Sequence, residues 1–305
     1  MKQEYIDTVR LLIGVAPTIF KSPKFAIKGG TALNLFVQDM PRLSVDIDVV
    51  FTDHGPAREE ALAEIQSRLK SAARELEKAG FEVDRPKNPT GEDVKLFVRD
   101  DKAEVKIEVN HVFRGVLLPV ATVPLAPAAR YMFTSGLTVP MLAIEEIYGS
   151  KLVAAMDRQH PRDIFDVMKM QGGVGLDKGV VDCFVAYLAG HGRPVHEVLF
   201  SKDAPFDAIY ESHFRGMTKD EVSLETLLKV RSDLKADLPK ALTQRHRDFL
   251  LSLVKLEPAW DLMPFEHLKD LPALKWKIAN LAKLKAAKPE IFTLQYTALA
   301  ERFAG

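Results

Sequence analysis

The sequence predicts an α+β protein with a mixed-sheet core on its N-terminal side and an all-helical C-terminal part. Three observations carry this prediction. Strand and helix patterns alternate in the first part of the chain, Asp100-Asp101-Lys102 joins two strand patterns as a hairpin turn, and helical spacing prevails from about Pro140 onward. We therefore expect two domains, a sheet core over residues 1–135 and a helical domain over residues 136–305.

The strands are predicted from short apolar runs in which side chains alternate between two faces. In the second of these runs, an apolar face alternates with a polar face that carries Asp46 and Asp48. The first run ends at Gly29-Gly30, and Thr31 is predicted to cap the helix that follows. The predicted strands cover residues 25–27, 45–51, 94–98 and 105–109.

Helices are predicted where apolar residues recur every three or four positions. The stripe in residues 57–79 is followed by Gly80, a residue suited to a helix end, and Pro161 stands at the favoured first position of another helix. The glycines in residues 172–175 are predicted to end that helix rather than to bind phosphate, because no strand precedes them. Further predicted helices cover residues 221–237, 240–256 and 273–286.

The composition restricts the class of protein. Lys+Arg and Asp+Glu number 42 each, so overall charge favours neither a nucleic-acid nor a membrane partner, although a local basic face is compatible with this balance. The N-terminus lacks the apolar run of a signal peptide, and no apolar run is long enough to cross a bilayer. The single cysteine, Cys183, lies in an apolar stretch and is predicted to be a core residue. We expect a soluble cytoplasmic protein with no membrane partner.

A pair of glycines, Gly29-Gly30, stands directly before a predicted helix. Glycine lets a ligand approach the backbone closely, and N–H groups at the start of a helix attract anions. The turn is therefore a candidate site for the phosphates of a nucleotide. Alone, such a pair is usually only a turn. The binding site is favoured by the ordered string that continues through Arg42, Ser44, Asp46 and Asp48.

Asp46 and Asp48 lie at positions i and i+2 of one strand, so their carboxylates share a face. Carboxylates this close repel each other unless a cation lies between them, and Mg²⁺ or Mn²⁺ suits such oxygen ligands. Glu108 lies on the polar face of another predicted strand. If the two strands are neighbours, the three carboxylates suffice for two metal ions. The ordinary alternatives are a solvated strand edge for the aspartates and an isolated surface residue for Glu108.

These residues resemble a known family. Gly29-Gly30-Thr31-Ala32-Leu33, followed by Arg42-x-Ser44-x-Asp46-x-Asp48, is similar to the first motif of the AbiEii/AbiGii nucleotidyltransferase-like toxins. These are the toxin halves of type IV toxin–antitoxin systems and include the MenT toxins of mycobacteria. A second family motif is an apolar helix bearing a lysine, then Arg-Asp-x-x-Asp. It is matched by residues 147–155 and by Arg162-Asp163-Ile164-Phe165-Asp166.

The resemblance implies a nucleotidyltransferase-like core that moves a nucleotide from a nucleoside triphosphate (NTP) to an acceptor with a divalent metal. MenT-like relatives extend the 3′ end of tRNA, which implies tRNA as acceptor, a block of translation and growth, and a cognate antitoxin encoded nearby. The residues expected to bind nucleotide are Gly29, Gly30, Thr31, Arg42, Ser44 and Lys151. The residues expected to act in catalysis are Asp46, Asp48, Glu108, Lys151, Asp163 and Asp166, the first three as metal ligands.

The second motif also has a physical interpretation. Lys151 follows Ile147 and Tyr148 by four and three positions, so it rises from an apolar stripe. Such a lysine either snorkels at a helix edge or is fixed to offset the charge of triphosphate oxygens. Asp163 and Asp166 fall in the first turn of the next helix, where the helix dipole alone favours acids. By the resemblance, the helical domain contributes these residues to the cleft, and at least one aspartate orients Lys151 or completes the active site.

A basic segment near the C-terminus bears on the acceptor. It contains Trp276, one acid (Asp270) and the lysines at 269, 275, 277, 283, 285 and 288. Such a segment suits a nucleic-acid backbone, and a solvated helix face is the alternative. Three functions remain open: a toxin that nucleotidylates tRNA, a nucleotidyltransferase that modifies a protein or a small molecule such as an antibiotic, and a non-catalytic nucleotide-binding interaction module.

Overall fold

The computed structural model describes residues 3–86 and 94–304. The chain divides into two compact units, the first comprising Met1–Ala143 and Arg215–Glu221 and the second Ile144–Phe214 and Val222–Gly305. The first unit therefore continues past the boundary predicted at residue 135. The reason is that a strand at Thr138–Met141 pairs with the strand at Phe25–Lys28 and so belongs to the sheet.

The first unit is built on a mixed sheet whose strands have the order β3-β4-β5-β2-β1-β7-β6. Strand β2 runs antiparallel to β1 and parallel to β5, and β4 and β5 form the hairpin that the sequence predicts. The strands are β1 (Phe25–Lys28), β2 (Asp46–Phe51), β3 (Glu82–Asp84), β4 (Lys95–Arg99), β5 (Glu104–Asn110), β6 (Ala121–Pro124) and β7 (Thr138–Met141).

Helices cover the apolar face of this sheet. Helix α1 contacts β2 and β5, and α3 contacts β3, β4 and α1. The core beneath them includes Ile47, Val49 and Ile107, which are fully buried. Helix α3 confirms the prediction for residues 57–79, with Gly80 (φ 94°) directly after its C-cap, whereas α1 was not predicted. The helices of this unit are α1 (Gln3–Ile19), α2 (Gly29–Ala32), α3 (Arg58–Lys78) and α4 (Pro127–Phe133), and a π-helical turn (Leu33–Val37) continues α2.

A short segment from later in the chain completes the first unit. The N–H of Leu43 donates to the carbonyl of Met217 (3.1 Å), and the N–H of Lys219 donates to the carbonyl of Pro41 (2.9 Å). Between them, Arg42 and Thr218 form an antiparallel bridge. The segment Arg215–Glu221 thus braces the stretch that leads into β2.

The regular secondary structure of the second unit, within its described residues, is all helical, in agreement with the sequence. Helices α6, α10, α11 and α12 lie where sequence spacing predicts helices, and α6 ends at Gln171 with Gly172 as its C-cap. The helices are α5 (Ile144–Asp157), α6 (Pro161–Gln171), α7 (Lys178–Ala189), α8 (Val195–Leu199), α9 (Asp207–His213), α10 (Leu224–Ala241), α11 (Gln244–Val254), α12 (Pro272–Ala287) and α13 (Pro289–Ala304), with single 3₁₀ turns at Trp260–Leu262 and Leu268–Asp270. Among the described residues, no helix combines the length and the hydropathy needed to cross a membrane.

Helices α5 and α7 pack against each other at a glycine. A Cβ atom at Gly149 would lie 2.6 Å from both the Cβ of Cys183 and the backbone nitrogen of Phe184. Cys183 is buried in this contact, which confirms its prediction as a core residue, and burial raises the pKa of its thiol. The close approach of the two helices therefore depends on the missing side chain at Gly149.

Candidate active site

The glycine turn lies against the predicted metal and phosphate residues. Gly29 has a φ of 75°, and a Cβ atom there would collide with the carboxylate of Asp48. A Cβ atom at Gly30 would lie 2.9 Å from Nη2 of Arg42 and 3.0 Å from Oγ of Ser44. Both positions therefore require glycine, because side chains from the following strand segment occupy the space that a Cβ would need.

Thr31 has a different role from the one predicted. Helix α2 begins at Gly29 with Lys28 at the N-cap position, so Thr31 lies inside the helix and does not cap it. Its buried hydroxyl instead donates a hydrogen bond to the carbonyl of Asp46 and ties α2 to the start of β2. Asn34, which the sequence did not single out, donates to the carbonyl of Gly30 (2.9 Å). Its only signal was a polar residue within an apolar helical run.

Arg42 is buried behind the glycine turn. Its Nη1 donates to the carbonyl of Leu43 (2.9 Å), and its guanidinium packs against Gly30. Ser44 is also buried and contacts the same glycine. These two residues thus support the turn, a role that the sequence did not predict, and their contact with a nucleotide stays a prediction.

The polar face of the sheet brings the three predicted carboxylates onto neighbouring strands. Strands β2 and β5 pair in register with Asp48 opposite Glu108, which satisfies the condition under which the sequence places Glu108 beside the aspartates. The strands on either side add a lysine to each of these residues. Lys28 on β1 lies opposite Asp48, and Lys95 on β4 lies opposite Glu108. Two residues earlier on β2 and β5, Asp46 lies opposite Lys106.

Lysine side chains contact these carboxylates directly. The Nζ of Lys106 lies 3.2 Å from Oε2 of Glu108 and 3.9 Å from Oδ2 of Asp46, and the Nζ of Lys95 lies 3.1 Å from Oε1 of Glu108. Partial burial alone would raise the pKa of Glu108, but Lys95 and Lys106 outweigh it and hold that pKa below its usual value. In turn, burial would lower the pKa of Lys106, and the charges of Asp46, Glu108 and Asp48 raise it instead.

The carboxylate oxygens of Asp46, Asp48 and Glu108 are ligands that suit a hard divalent cation, although the three side chains do not converge on one point. Among the described residues, no three His, Cys, Asp or Glu side chains are grouped so that they could hold a metal ion. Lys95 and Lys106 both contact the carboxylate of Glu108. Three carboxylates at adjacent register positions are the oxygen ligands that Mg²⁺ and Mn²⁺ prefer.

The second motif forms a buried ion cluster in the other unit. The Nζ of Lys151 on α5 lies 3.0 Å from Oδ1 of Asp163 and 3.0 Å from Oδ2 of Asp166, both on α6. Lys151 is only 6% exposed, so it does not snorkel at a helix edge. The sequence could not choose between the two aspartates, and the structure shows that both contact the lysine.

Arg158, which stands beside the second motif in the sequence but was given no role there, also belongs to this cluster. Its guanidinium donates two hydrogen bonds to Asp163, one of them from Nη2 at 2.9 Å. Burial would raise the pKa of Asp163, but Lys151 and Arg158 outweigh it and hold that pKa far below the ordinary value. Two cations therefore balance two buried carboxylates, which makes the removal of any one member costly.

The basic segment is smaller than predicted. Lys277 is buried, and its Nζ donates to the carbonyls of His191 (2.8 Å) and Arg193 (2.7 Å), so this lysine belongs to the core of the second unit. Burial lowers the pKa of Lys277 to about 8. Trp276 is half-exposed. The lysines that remain on the surface are those at 269, 275, 283, 285 and 288.

The glycine turn and the two aspartates of β2 lie within the residues that a known family model matches. The model of the family "Nucleotidyl transferase AbiEii toxin, Type IV TA system" matches residues 10–280. The chain therefore belongs to the AbiEii nucleotidyltransferase toxin family of type IV toxin–antitoxin systems, and it is a nucleotidyltransferase.

Comparison with solved structures supports the same family at the level of the fold. The nucleotidyltransferase toxin MenT4 from Mycobacterium tuberculosis H37Rv is similar, with a TM-score of 0.58 and 18% identity over 92% of this chain and 94% of that chain. The Escherichia coli MS115-1 CdnC:HORMA-deltaN complex matches at a TM-score of 0.26 and 13% identity over 90% and 92% of the two chains, which is too weak to support any argument. No curated protein matches the sequence.

Proposed function

We propose that this nucleotidyltransferase moves a nucleotide from an NTP to the 3′ end of tRNA in a metal-dependent reaction, and that this reaction blocks translation and growth. A cognate antitoxin would oppose it, as the type IV family implies. The observation that carries the proposal is the contact between the glycine turn and Asp48, which holds a carboxylate against exposed backbone at the point where a triphosphate could approach.

In this reaction the 3′-hydroxyl oxygen of the acceptor attacks the α-phosphorus of the NTP, and the bond to the β-phosphate breaks to release pyrophosphate. Asp46, Asp48 and Glu108 would hold the divalent metal, which when bound lowers the pKa of the hydroxyl and stabilises the charge that develops. Because Gly29 and Gly30 carry no side chains, Asp48, Arg42 and Ser44 can lie directly against the turn that would bind the phosphates.

The polar residues around the turn fix its position. Thr31 holds α2 to the start of β2, and Arg42 and Ser44 back the turn from the other side. We assign these three residues to positioning the nucleotide through the turn, and direct contact with its phosphates is a further part of the proposal. Such fixed geometry is what a transfer reaction needs, because the attacking oxygen and the phosphorus must be held in line.

The Lys151 cluster is proposed to serve the same reaction, as the family motif implies. Asp163 and Asp166 hold the ammonium of Lys151 in one place, so this cation cannot sample other rotamers freely. A cation fixed in this way can offset triphosphate charge without reorganising during the reaction.

The proposed acceptor, tRNA, is argued from a basic surface of the second unit. The exposed lysines of α12 and its neighbours, together with half-exposed Trp276, offer charge for phosphates and a ring for base stacking. This surface and the resemblance to MenT-like toxins support tRNA over a protein or a small molecule.

The test is incubation of the purified chain with labelled NTPs and total RNA. We expect label on tRNA 3′ ends with the wild type and none with Asp46→Asn, Asp48→Asn or EDTA, while thermal melting stays unchanged. Asp101→Asn, in the exposed β4–β5 turn, is the matched control and should keep full transfer. Transfer at the wild-type rate in EDTA, or by either aspartate variant, would contradict the metal-dependent mechanism. Label on protein instead of RNA would support nucleotidyl transfer but would show that the acceptor is a protein and not tRNA.

A further inference from the structure

Lys106 lies among the carboxylates of the candidate site on a strand that the sequence singled out only for Glu108. Its ammonium contacts Glu108 on its own strand and Asp46 on the neighbouring one, at 3.2 Å and 3.9 Å. The position is set by the backbone, because the parallel pairing of β2 and β5 puts Lys106 opposite Asp46 and on the same face as both carboxylates.

We propose that Lys106 is a resident counter-ion of the metal site: its ammonium occupies the space between Asp46 and Glu108 that a divalent cation would use, and the metal must displace it to bind. The affinity of the site for metal is then set by competition with a cation that belongs to the chain. This inference rests on the proposed metal dependence and adds to it a residue that regulates metal binding.

The charges on this face are consistent with such a role. Three lysines, Lys28, Lys95 and Lys106, lie opposite or beside the three carboxylates in the strand register. Carboxylates this close repel one another when no cation is present, so the lysines offset that repulsion. Lys106 contacts two of the carboxylates, those of Asp46 and Glu108.

The exposure of these groups makes displacement feasible. The side chains of Lys106, Asp46 and Glu108 are 31%, 37% and 35% exposed. Ion pairs that are this accessible to water are weak, so a divalent ion can replace one at low cost. Lys151 differs, because its partners Asp163 and Asp166 are buried. Release of the lysine would leave their negative charges neither hydrated nor paired with it.

The experiment measures Mn²⁺ binding to the purified full-length chain without NTP, by the electron paramagnetic resonance signal of free Mn²⁺. Lys106→Met should bind Mn²⁺ about ten-fold or more tightly than the wild type, because one positive charge about 4 Å from the ion is removed. Lys106→Arg keeps the charge and should bind as the wild type does. Lys102→Met removes an exposed lysine from the β4–β5 turn and should also leave the Kd unchanged. Asp48→Asn should weaken binding.

The outcomes separate this inference from the proposed function. An unchanged Kd in Lys106→Met, or weaker binding, overturns the counter-ion role while leaving metal-dependent transfer in place. Absence of Mn²⁺ binding in both the wild type and Lys106→Met overturns the inference together with the metal dependence. Tighter binding in Lys106→Met, with no transfer to tRNA by the wild type, supports the inference and rejects the acceptor.

Discussion

At the scale of residues, the buried cluster around Lys151 has both a structural and a proposed functional consequence. The ammonium lies between Asp163 and Asp166, and removing it leaves at least one carboxylate buried without its main partner. The two consequences can be separated, because one is measured by the free energy of unfolding and the other by nucleotide binding.

We expect Lys151→Ala to lower the free energy of unfolding by about 3–5 kcal/mol, the usual cost of breaking a buried ion pair. We also expect it to weaken nucleotide binding, measured by calorimetry below the melting temperature of the variant. Lys277→Ala is the control, since it removes another buried lysine of the second unit, lies outside the candidate site, and should lower stability without changing nucleotide binding. Equal nucleotide binding by Lys151→Ala and the wild type would reduce Lys151 to a structural residue.

Much of the site was predictable at this scale, and some was not. Gly29-Gly30, Asp46 and Asp48 belong to one ordered motif of the sequence, which grouped them before their contact was known. Lys106 and Lys95 were missed because their roles depend on which strands pair and in what register, which local patterns do not specify. Thr31 was misassigned because a helix that begins at Gly29 moves the cap back to Lys28.

At the scale of elements, alanine substitutions at two helical glycines are expected to change the free energy of unfolding in opposite directions. A Cβ at Gly149 would overlap Cys183 and the backbone of Phe184, whereas a Cβ at Gly14 in α1 would meet nothing within 4 Å. Sequence spacing predicted several long helices, including α3 and α12, but not α1 or α13. It could not predict α5–α7 packing at Gly149, which depends on long-range contacts.

Gly149→Ala should lower the free energy of unfolding by about 1–3 kcal/mol, because the helices must move apart to admit the methyl group. Gly14→Ala should raise it by about 0.5–1 kcal/mol, since alanine favours the helix and the space is open. Urea unfolding followed by circular dichroism measures both changes. A neutral Gly149→Ala would mean that α5 and α7 do not pack as closely as described.

At the scale of the whole molecule, the AbiEii family places the chain in a toxin–antitoxin system, so its activity should be visible in growth. Induced expression should slow growth, Asp48→Asn should not, and tRNA from induced cells should carry extra 3′ nucleotides. Sequencing of tRNA ends alongside growth curves measures this. Arrest that persists with Asp48→Asn would favour the non-catalytic interaction module, and arrest that needs Asp48 without altered tRNA would indicate another acceptor.

The brace formed by Arg215–Glu221 affects the order in which a working enzyme arises during synthesis. Pro41 and Leu43 are made early, but their hydrogen-bond partners Lys219 and Met217 leave the ribosome only after much of the second unit has been translated. Until then, Arg42 lacks the bridge to Thr218 that flanks the glycine turn. The nascent chain therefore carries Gly29-Gly30, Asp46 and Asp48 before the first unit can be completed, so we expect the candidate site to take its final form only after Met217 and Lys219 have been made.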